Sequence, residues 1–420
     1  MARRQPAGEA GRVGPRSCDR ASAGTRPAAL PFRRSPPLRG GGARSPRRYA
    51  PIVDTLFWGA TMDALVNTWY AAGWADEIDD RSLVGRTILD RHVLLFRQSD
   101  GTAKAIGNRC PHRFAPLHLG KHLGDAVQCG YHGLEFDGSG RCSLNPHGGA
   151  EGRSVAKVPA YPLVERYGAL WIWLGEETPD ESLIPTSMAF MTEPGRAEFH
   201  GCIVVEANYQ LLNDNLMDLS HGMYLHAGSL STIEMLKNYH PKVEVVDETV
   251  TSRRRSLDIP PPALWHPGLP DGTKTVDFFS HLQWDAPSHV VLEVGCLPLG
   301  MPHGSPGQIA AISAHLFTPV SDTRTLYFFS FSRDFSIESQ DVDAHVRQTT
   351  RHAFIEEDKP MIEAQQEMMG TPDLMSLDPL LLKTDAAAVR VRRLLAKKIA
   401  DERSRGVDAA AGTHREAARP

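Results

Sequence analysis

The chain has 420 residues, of which 41% are hydrophobic and 23% charged, a globular composition long enough for two domains. No apolar run approaches the ~18–20 residues of a membrane span, six cysteines are too few for a disulfide scaffold, and no period of ~20–50 residues recurs. The formal net charge of −4 conceals an asymmetry: residues 1–50 hold twelve Arg against Glu9 and Asp19, a local +10, so the remainder carries −14.

That first segment is also rich in Pro and Gly (Pro36-Pro37, Gly40-Gly41-Gly42). Such a stretch cannot bury enough apolar surface to offset its ordering entropy, and residues 1–61 are expected to be a disordered extension. It lacks the apolar core of a secretory signal and the Lys and interleaved aromatics of a nucleic-acid arm; an Arg-rich transit peptide fits its composition better. Patterned sequence begins at Met62, which is read as the translational start, the preceding mixture being what untranslated GC-rich sequence gives. Residues 404–420, again Ala/Arg/Gly-rich, are expected to be a disordered tail.

From Val66 to Gly175 short β-type runs alternate with turn residues. Leu83–Leu89, His92–Arg97, Ala103–Ile106, Ala126–Cys129, Leu134–Asp137 and Ala169–Leu174 read as strands, and residues 62–175 as an all-β domain. Residues 176–403 mix both types. Asn208–Leu219 reads as a helix, and Val243–Ser256, Thr275–Phe279, Val290–Gly295, Ile309–Pro319 and Leu326–Arg333 as strands of one larger sheet. Val342–Met369 is a long helical pattern with a break near Pro360, and Asp385–Asp401 a basic amphipathic helix. The fold class is therefore α+β, an all-β domain followed by one with helices grouped on a mostly antiparallel sheet.

The β domain carries Cys110-Pro111-His112 and, after sixteen intervening residues, Cys129-Gly130-Tyr131-His132. Each half offers a soft thiolate and a borderline imidazole from what reads as a hairpin loop. Two such loops face to face can place both Cys on one iron and both His on the other, a Rieske [2Fe–2S] centre. A Cys₂His₂ zinc site is the competing reading, but its usual order is two Cys and then two His. Gly120, Gly130 and Gly133 would allow close backbone approach to the cluster. His118 and His122 lie between the halves and are read as loop histidines. Cys142, Cys202 and Cys296 are read as ordinary buried thiols, which suits a reducing cytoplasm.

A Rieske electron carrier needs only about a hundred residues, so the remainder should hold an electron acceptor. Asn215, Asp218 and His221 recur every third residue and share one helical face, while His226 follows five residues later, roughly 140° away. Both imidazoles reach one metal only if the helix is distorted or ends near Gly222. A 2-His-1-carboxylate triad with open positions is the non-haem Fe(II) oxygenase arrangement. The third ligand must come from elsewhere, and Glu356-Glu357-Asp358 offers three carboxylates.

Cys110-Pro-His112-Arg113 with Gln128-Cys129-Gly-Tyr-His132-Gly133, together with Asp218-x₂-His221-x₄-His226, resembles the Rieske non-haem iron oxygenases of the vanillate and dicamba O-demethylase type. Gly85–Asp90, Tyr131–Gly140, Asn145–Gly148, Asn215–Ser220 and Ala386–Arg392 carry the likeness across both domains. The resemblance implies a helix-grip catalytic domain, one Rieske cluster and one mononuclear Fe(II) per chain, and a homotrimer. It implies Asp358 as third iron ligand, with Glu357 the alternative. A catalytic role for Asn215 and Asp218 also follows from it. The Asp218 carboxylate would accept from the His221 ring nitrogen that does not bind iron and bridge to a Rieske histidine of the neighbouring subunit. His315 resembles a pocket-facing substrate-binding residue, and no Arg claims the pocket. The implied activity is a monooxygenase that hydroxylates or O-demethylates an aromatic acid, using O₂ and electrons from a separate NAD(P)H-dependent reductase, with or without a ferredoxin. A ring cis-dihydroxylating dioxygenase is the alternative, and a pure electron-transfer Rieske protein the remaining one. No dinucleotide fingerprint is visible, and neither nucleic acid nor membrane is an expected partner.

Overall fold

The computed structural model describes residues 62–148, 156–237 and 240–416, with side chains described as far as 405. The extension over residues 1–61, with the reading of Met62 as a start, lies outside them apart from Met62 itself.

The first part is built from eleven short strands: β1 (Trp69–Trp74), β2 (Val84–Ile88), β3 (Arg91–Arg97), β4 (Ala103–Gly107), β5 (Lys121–His122), β6 (Ala126–Gln128), β7 (Glu135–Asp137), β8 (Cys142–Leu144), β9 (Ala160–Tyr161), β10 (Leu163–Arg166) and β11 (Ala169–Trp173). They form three small antiparallel sheets, ordered β1-β11-β10, β2-β3-β4-β9 and β5-β6-β7-β8. β11 buries every residue and β3 its four central ones, Val93–Phe96, which is why they read as continuous apolar runs rather than alternating ones. Leu94, Phe96, Ile106, Val127 and Phe136 form a small core under the cluster loops.

The second part is one seven-stranded antiparallel sheet, β12 (Ala197–Val205), β13 (Lys242–Val246), β14 (Thr249–Ile259), β15 (Val276–Asp285), β16 (His289–Leu297), β17 (Ile309–Ser321) and β18 (Arg324–Arg333), in the order β12-β18-β17-β16-β15-β14-β13. The expected single strand Val243–Ser256 is a hairpin, β13 and β14, turning at Asp247 with φ 53°. One face of the sheet is covered by helices α1 (Tyr209–Met217), α2 (Gly222–Leu225), α3 (Gln340–Arg351), α4 (Lys359–Met369) and α5 (Ala386–Glu416). Trp284 on β15 donates to Asn213 of α1 (3.2 Å), and Arg392 of α5 clasps Asp214 of α1 (Nε–Oδ1 2.9 Å). Buried side chains of α1, α5 and the sheet join those of β1–β3 and β11 in one core. Helix α5 runs to Glu416, beyond both the expected end at Asp401 and the expected start of a loose tail at 404. Residues 417–420 of that tail lie outside the description.

The other face of the sheet receives β1 and β11 of the first part. Trp69, Trp171 and Trp173 pack with Ala314, Leu316 and Phe328. Thr318 donates to the Ala71 carbonyl (2.7 Å), and His289 Nε2–H to the Trp69 carbonyl (3.0 Å).

Candidate metal centres

Two loops carry the Rieske-type residues, and they share one backbone plan. In each the Cys N–H donates to the carbonyl five residues on, Cys110 to Ala115 and Cys129 to Leu134, and the N–H four residues on returns to the Cys carbonyl, Phe114 to Cys110 and Gly133 to Cys129. Both turns need a left-handed residue at that return position: Gly133 has φ 73° and Phe114 φ 59°. Phe114 bears the cost of about 1 kcal/mol that Gly133 avoids, and its ring is 5.0 Å from the Arg109 guanidinium. The loops touch closely through Gly120, where a Cβ would stand 2.0 Å from the Gln128 carbonyl oxygen. Gly130 takes part in the same contact, its Cβ position 3.0 Å from the Leu119 carbonyl oxygen, whereas a Cβ on Gly133 would meet only the Pro146 ring at 3.3 Å.

Cys110 and Cys129 are buried, and burial together with the neighbouring thiol pushes Cys110 up to about 11, a penalty that bound iron would remove. His112 and His132 lie on the outer side with ring centroids 4.4 Å apart, and the His132 carbonyl is held by His147 Nε2–H (2.9 Å). Paired buried thiolates behind paired outer imidazoles is the donor set a Rieske cluster requires. His118 and His122 are engaged elsewhere, with Asn108 Nδ2 (2.8 Å) and the Arg97 carbonyl (2.8 Å). Cys142 and Cys296 are buried free thiols, whereas Cys202 on β12 is only half-buried, which corrects its reading as a buried thiol.

The second centre depends on two interrupted helices. Helix α1 stops at Met217 because Asp218 takes an extended conformation (φ −124°, ψ 96°) and its carboxylate caps the next turn, accepting from Ser220 N–H (2.9 Å) and Ser220 Oγ–H (2.8 Å). His221 and His226 then flank the single turn α2, and with His226 leaving helical geometry (φ −107°, ψ 24°) their rings come together, centroids 5.2 Å apart. On the opposite side a π-helical stretch, His352–Asp358, joins α3 to α4. Pro360 cannot donate to an i−4 carbonyl, and the widened turn before it absorbs that defect. The wider turn aims both Glu357 and Asp358 at His226.

His226 Nε2 is 3.1 Å and His221 Nε2 3.5 Å from Asp358 Oδ1. These separations suit cis ligands on one ion: two bonds of ~2.1 Å at a right angle put donor atoms ~3.0 Å apart. The far ring nitrogens fix the tautomers. His221 Nδ1–H donates to the Asp218 backbone carbonyl (2.7 Å), and His226 Nδ1–H to Glu357 Oε2 (2.8 Å), leaving both Nε2 lone pairs facing Asp358. This corrects the expected contact of His221 with the Asp218 carboxylate: the acceptor is the carbonyl of that residue. Asn215 Nδ2–H donates to Asp358 Oδ1 (3.1 Å), so it touches the triad directly. Burial opposes ionisation of Asp358, yet the facing imidazoles, when they carry a proton on Nε2 in place of a metal, outweigh it and hold the carboxyl well below the usual range. The arrangement therefore fits a divalent iron with open positions.

His315 lies beside this centre on β17, with Phe354 of the π-helical stretch 5.7 Å from its ring. Burial pushes it down to about 3, so it is neutral, with Ser313 Oγ at Nε2 (2.8 Å) and Tyr327 Oη at Nδ1 (2.5 Å). Ser313, Tyr327 and Phe354 were not singled out by the sequence; only the Ser313-x-His315 alternation hinted that two polar side chains share a strand face. Strand pairing puts Arg254 of β14 on that same face, through Ser280, Val294 and Ala311. It is buried, with Nη1 3.9 Å from Met223 Sδ.

Residues 68–162 match the Rieske [2Fe-2S] domain family and residues 205–401 the vanillate O-demethylase oxygenase C-terminal domain family. Over 351 residues the chain is 36% identical to the oxygenase component of chloroacetanilide N-alkylformylase from Rhizorhabdus wittichii, covering 83% of this chain and 99% of that one. It is 34% identical over 337 residues to the oxygenase component of dicamba O-demethylase from Stenotrophomonas maltophilia, covering 80% and 98%. The crystal structure of dicamba monooxygenase bound to 3,6-dichlorosalicylic acid superposes with a TM-score of 0.75 at 34% identity, covering 83% and 99%. The chain belongs to the Rieske non-haem iron oxygenases. It is the oxygenase component of a multicomponent monooxygenase, carrying a Rieske cluster and a mononuclear iron, and its electrons come from a separate reductase. The ring-dihydroxylating alternative is not favoured, since these relatives are O-demethylases and N-dealkylases.

Proposed function

We propose that this oxygenase removes an alkyl group from the oxygen or nitrogen of a small aromatic substrate. His221, His226 and Asp358 hold the iron, and Cys110, Cys129, His112 and His132 hold the cluster. When bound, the iron supplies O₂ activation and oxygen insertion into a C–H bond, with electrons delivered through the cluster. The net change consumes O₂, two electrons and two protons and yields water plus a hydroxylated alkyl carbon. That carbon sits on a heteroatom, so the hemiacetal or hemiaminal collapses to an aldehyde and a phenol or amine.

The observation that carries this reading is the wall beside the triad. Phe354 lies 5.8 Å from Tyr327 and 5.5 Å from Phe329, an aromatic surface for a flat ring. The neutral, doubly hydrogen-bonded His315 offers polarity without charge, which suits an ether or amide. A second reading, an aromatic acid, is favoured by Arg254, a buried cation on the same sheet face. Supply of electrons by an NAD(P)H-dependent reductase, with or without a ferredoxin, a homotrimeric assembly and a cytoplasmic setting complete the proposal; no helix of the described residues is long and apolar enough to cross a membrane.

The test is turnover of the iron-loaded protein with a surrogate reductase on neutral anisoles, methoxybenzoates and N-alkyl chloroacetanilides. Aldehyde released in step with NADH oxidation is the expected result. Cis-diol products without aldehyde would overturn it.

A further inference from the structure

On the sheet face opposite the iron, a second group of metal-binding side chains converges. His281 on β15 and Glu293 on β16 are directly paired, and His303 arrives from the β16–β17 turn. Glu293 pairs with Ile312, whereas His315 pairs with Val290, so the two polar groups lie on opposite faces. His281 Nδ1 is 3.4 Å from Glu293 Oε2, and His303 Nε2 is 3.0 Å from Glu293 Oε1. One ligand atom from each of the three lies within 4.8 Å of the others.

We propose that His281, Glu293 and His303 form a second metal site that takes a single zinc ion. Two imidazoles and one carboxylate are borderline N/O donors, and the divalent d¹⁰ ion imposes no geometry of its own, so it accepts three protein ligands and completes its shell with water. The side chains are 30%, 25% and 43% exposed, which leaves the water position open and the ion a path in.

The site is held ready before any ion arrives. The Phe279 ring stands 5.2 Å from His281 and 4.7 Å from His303, edge to face with the latter, and backs both imidazoles. Phe279 can lie there because its cross-strand partner is Gly295, where a Cβ would come within 2.7 Å of the ring. The turn that carries His303 is tied down as well. Asp277 accepts from Gly300 N–H (2.9 Å), and Arg255 joins Asp277 (2.7 Å) to the Met301 carbonyl. Within the turn, Gly304 N–H donates to Gln308 Oε1 (2.7 Å). Binding therefore orders little that is not already ordered, and the ion pins the β16–β17 turn to the sheet.

The proposal does not rest on the oxygenase reading, and its test is independent of turnover. The iron-loaded full chain is incubated with zinc sulfate, desalted and assayed for zinc by mass spectrometry, with its thermal midpoint measured in parallel. One zinc per chain and a raised midpoint are expected in the unaltered protein. Both should be lost in His303→Ala, which alters an exposed turn, and in Glu293→Gln, which keeps the side chain's size. His221→Ala should retain the zinc, separating this site from the iron triad. Zinc that survives in His303→Ala and Glu293→Gln, or disappears in His221→Ala, overturns the proposal, as does an unaltered protein that holds none.

Discussion

The division of labour between two adjacent carboxylates shows where residue-level reading succeeds and stops. His221 and His226 were legible because imidazoles at that spacing, downstream of a Cys/His cluster motif, have few other uses. Asp358 and Glu357 could not be told apart, because an acidic run is the same string whether it coordinates or is solvated. The π-helical stretch gives them different places: Asp358 faces both Nε2 atoms, and Glu357 faces the back of His226 at 2.8 Å. Asp358→Asn should therefore lose the mononuclear iron, falling from about three to about two Fe per chain while the cluster absorbance stays. Glu357→Gln should keep that iron with affinity weakened about 10–100-fold, the usual cost of losing a partner behind a ligating histidine. Iron titration with the cluster as internal standard checks both, and the reverse order of effects would make Glu357 the ligand. Tyr327 was invisible for a different reason: its place beside His315 depends on β17–β18 register, which a lone sequence does not display.

At the scale of elements, strands with unbroken apolar runs or clean turns were legible within a residue or two, as β3 and β18 show against His92–Arg97 and Leu326–Arg333. β1 and β12 were passed over. β1 is short and holds Gly73 between tryptophans, and β12 alternates half-buried with exposed residues, so their strand character comes from tertiary pairing. β1 is nevertheless the seam between the two parts, because His289 of β16 donates to its Trp69 carbonyl and stands 5.2 Å from the Trp171 ring. Burial lowers this imidazole to about 4, below its ordinary 6.5. The unfolded chain therefore binds a proton there that the folded chain refuses between those values. Stability is fully present above about pH 6.5 and declines as pH falls toward 4, by about 2 kcal/mol at pH 5. His289→Gln can keep the donor to Trp69 without a titrating group, so the fall in thermal midpoint from pH 7.5 to pH 5 should shrink in that variant. An undiminished fall would place the acid sensitivity elsewhere.

For the whole molecule the question is how electrons travel from cluster to iron. The outer side of the cluster loops carries Phe114, Leu119 and Tyr131, each at least 60% exposed, as an apolar collar near His112 and His132. Such a collar suits a docking surface, and we propose that in the trimer it meets the iron domain of the next subunit. Asp218 is the proposed bridge for the crossing. Its backbone carbonyl holds His221 Nδ1–H, while its half-exposed carboxylate caps Ser220. The charge and the fold role can be separated, because Asn caps a helical turn about as well as Asp and leaves the carbonyl in place. Asp218→Asn should therefore keep the cluster, most of the mononuclear iron and the trimer, yet lose most turnover, since a neutral amide cannot stabilise an imidazolium across the interface. The measurement is oxidation of the pre-reduced cluster in a single turnover with O₂ and substrate, alongside iron content and mass in solution. Cluster oxidation at the unaltered rate would remove Asp218 from the electron path. Loss of the iron itself would show instead that the carboxylate is needed to shape the turn that presents His221.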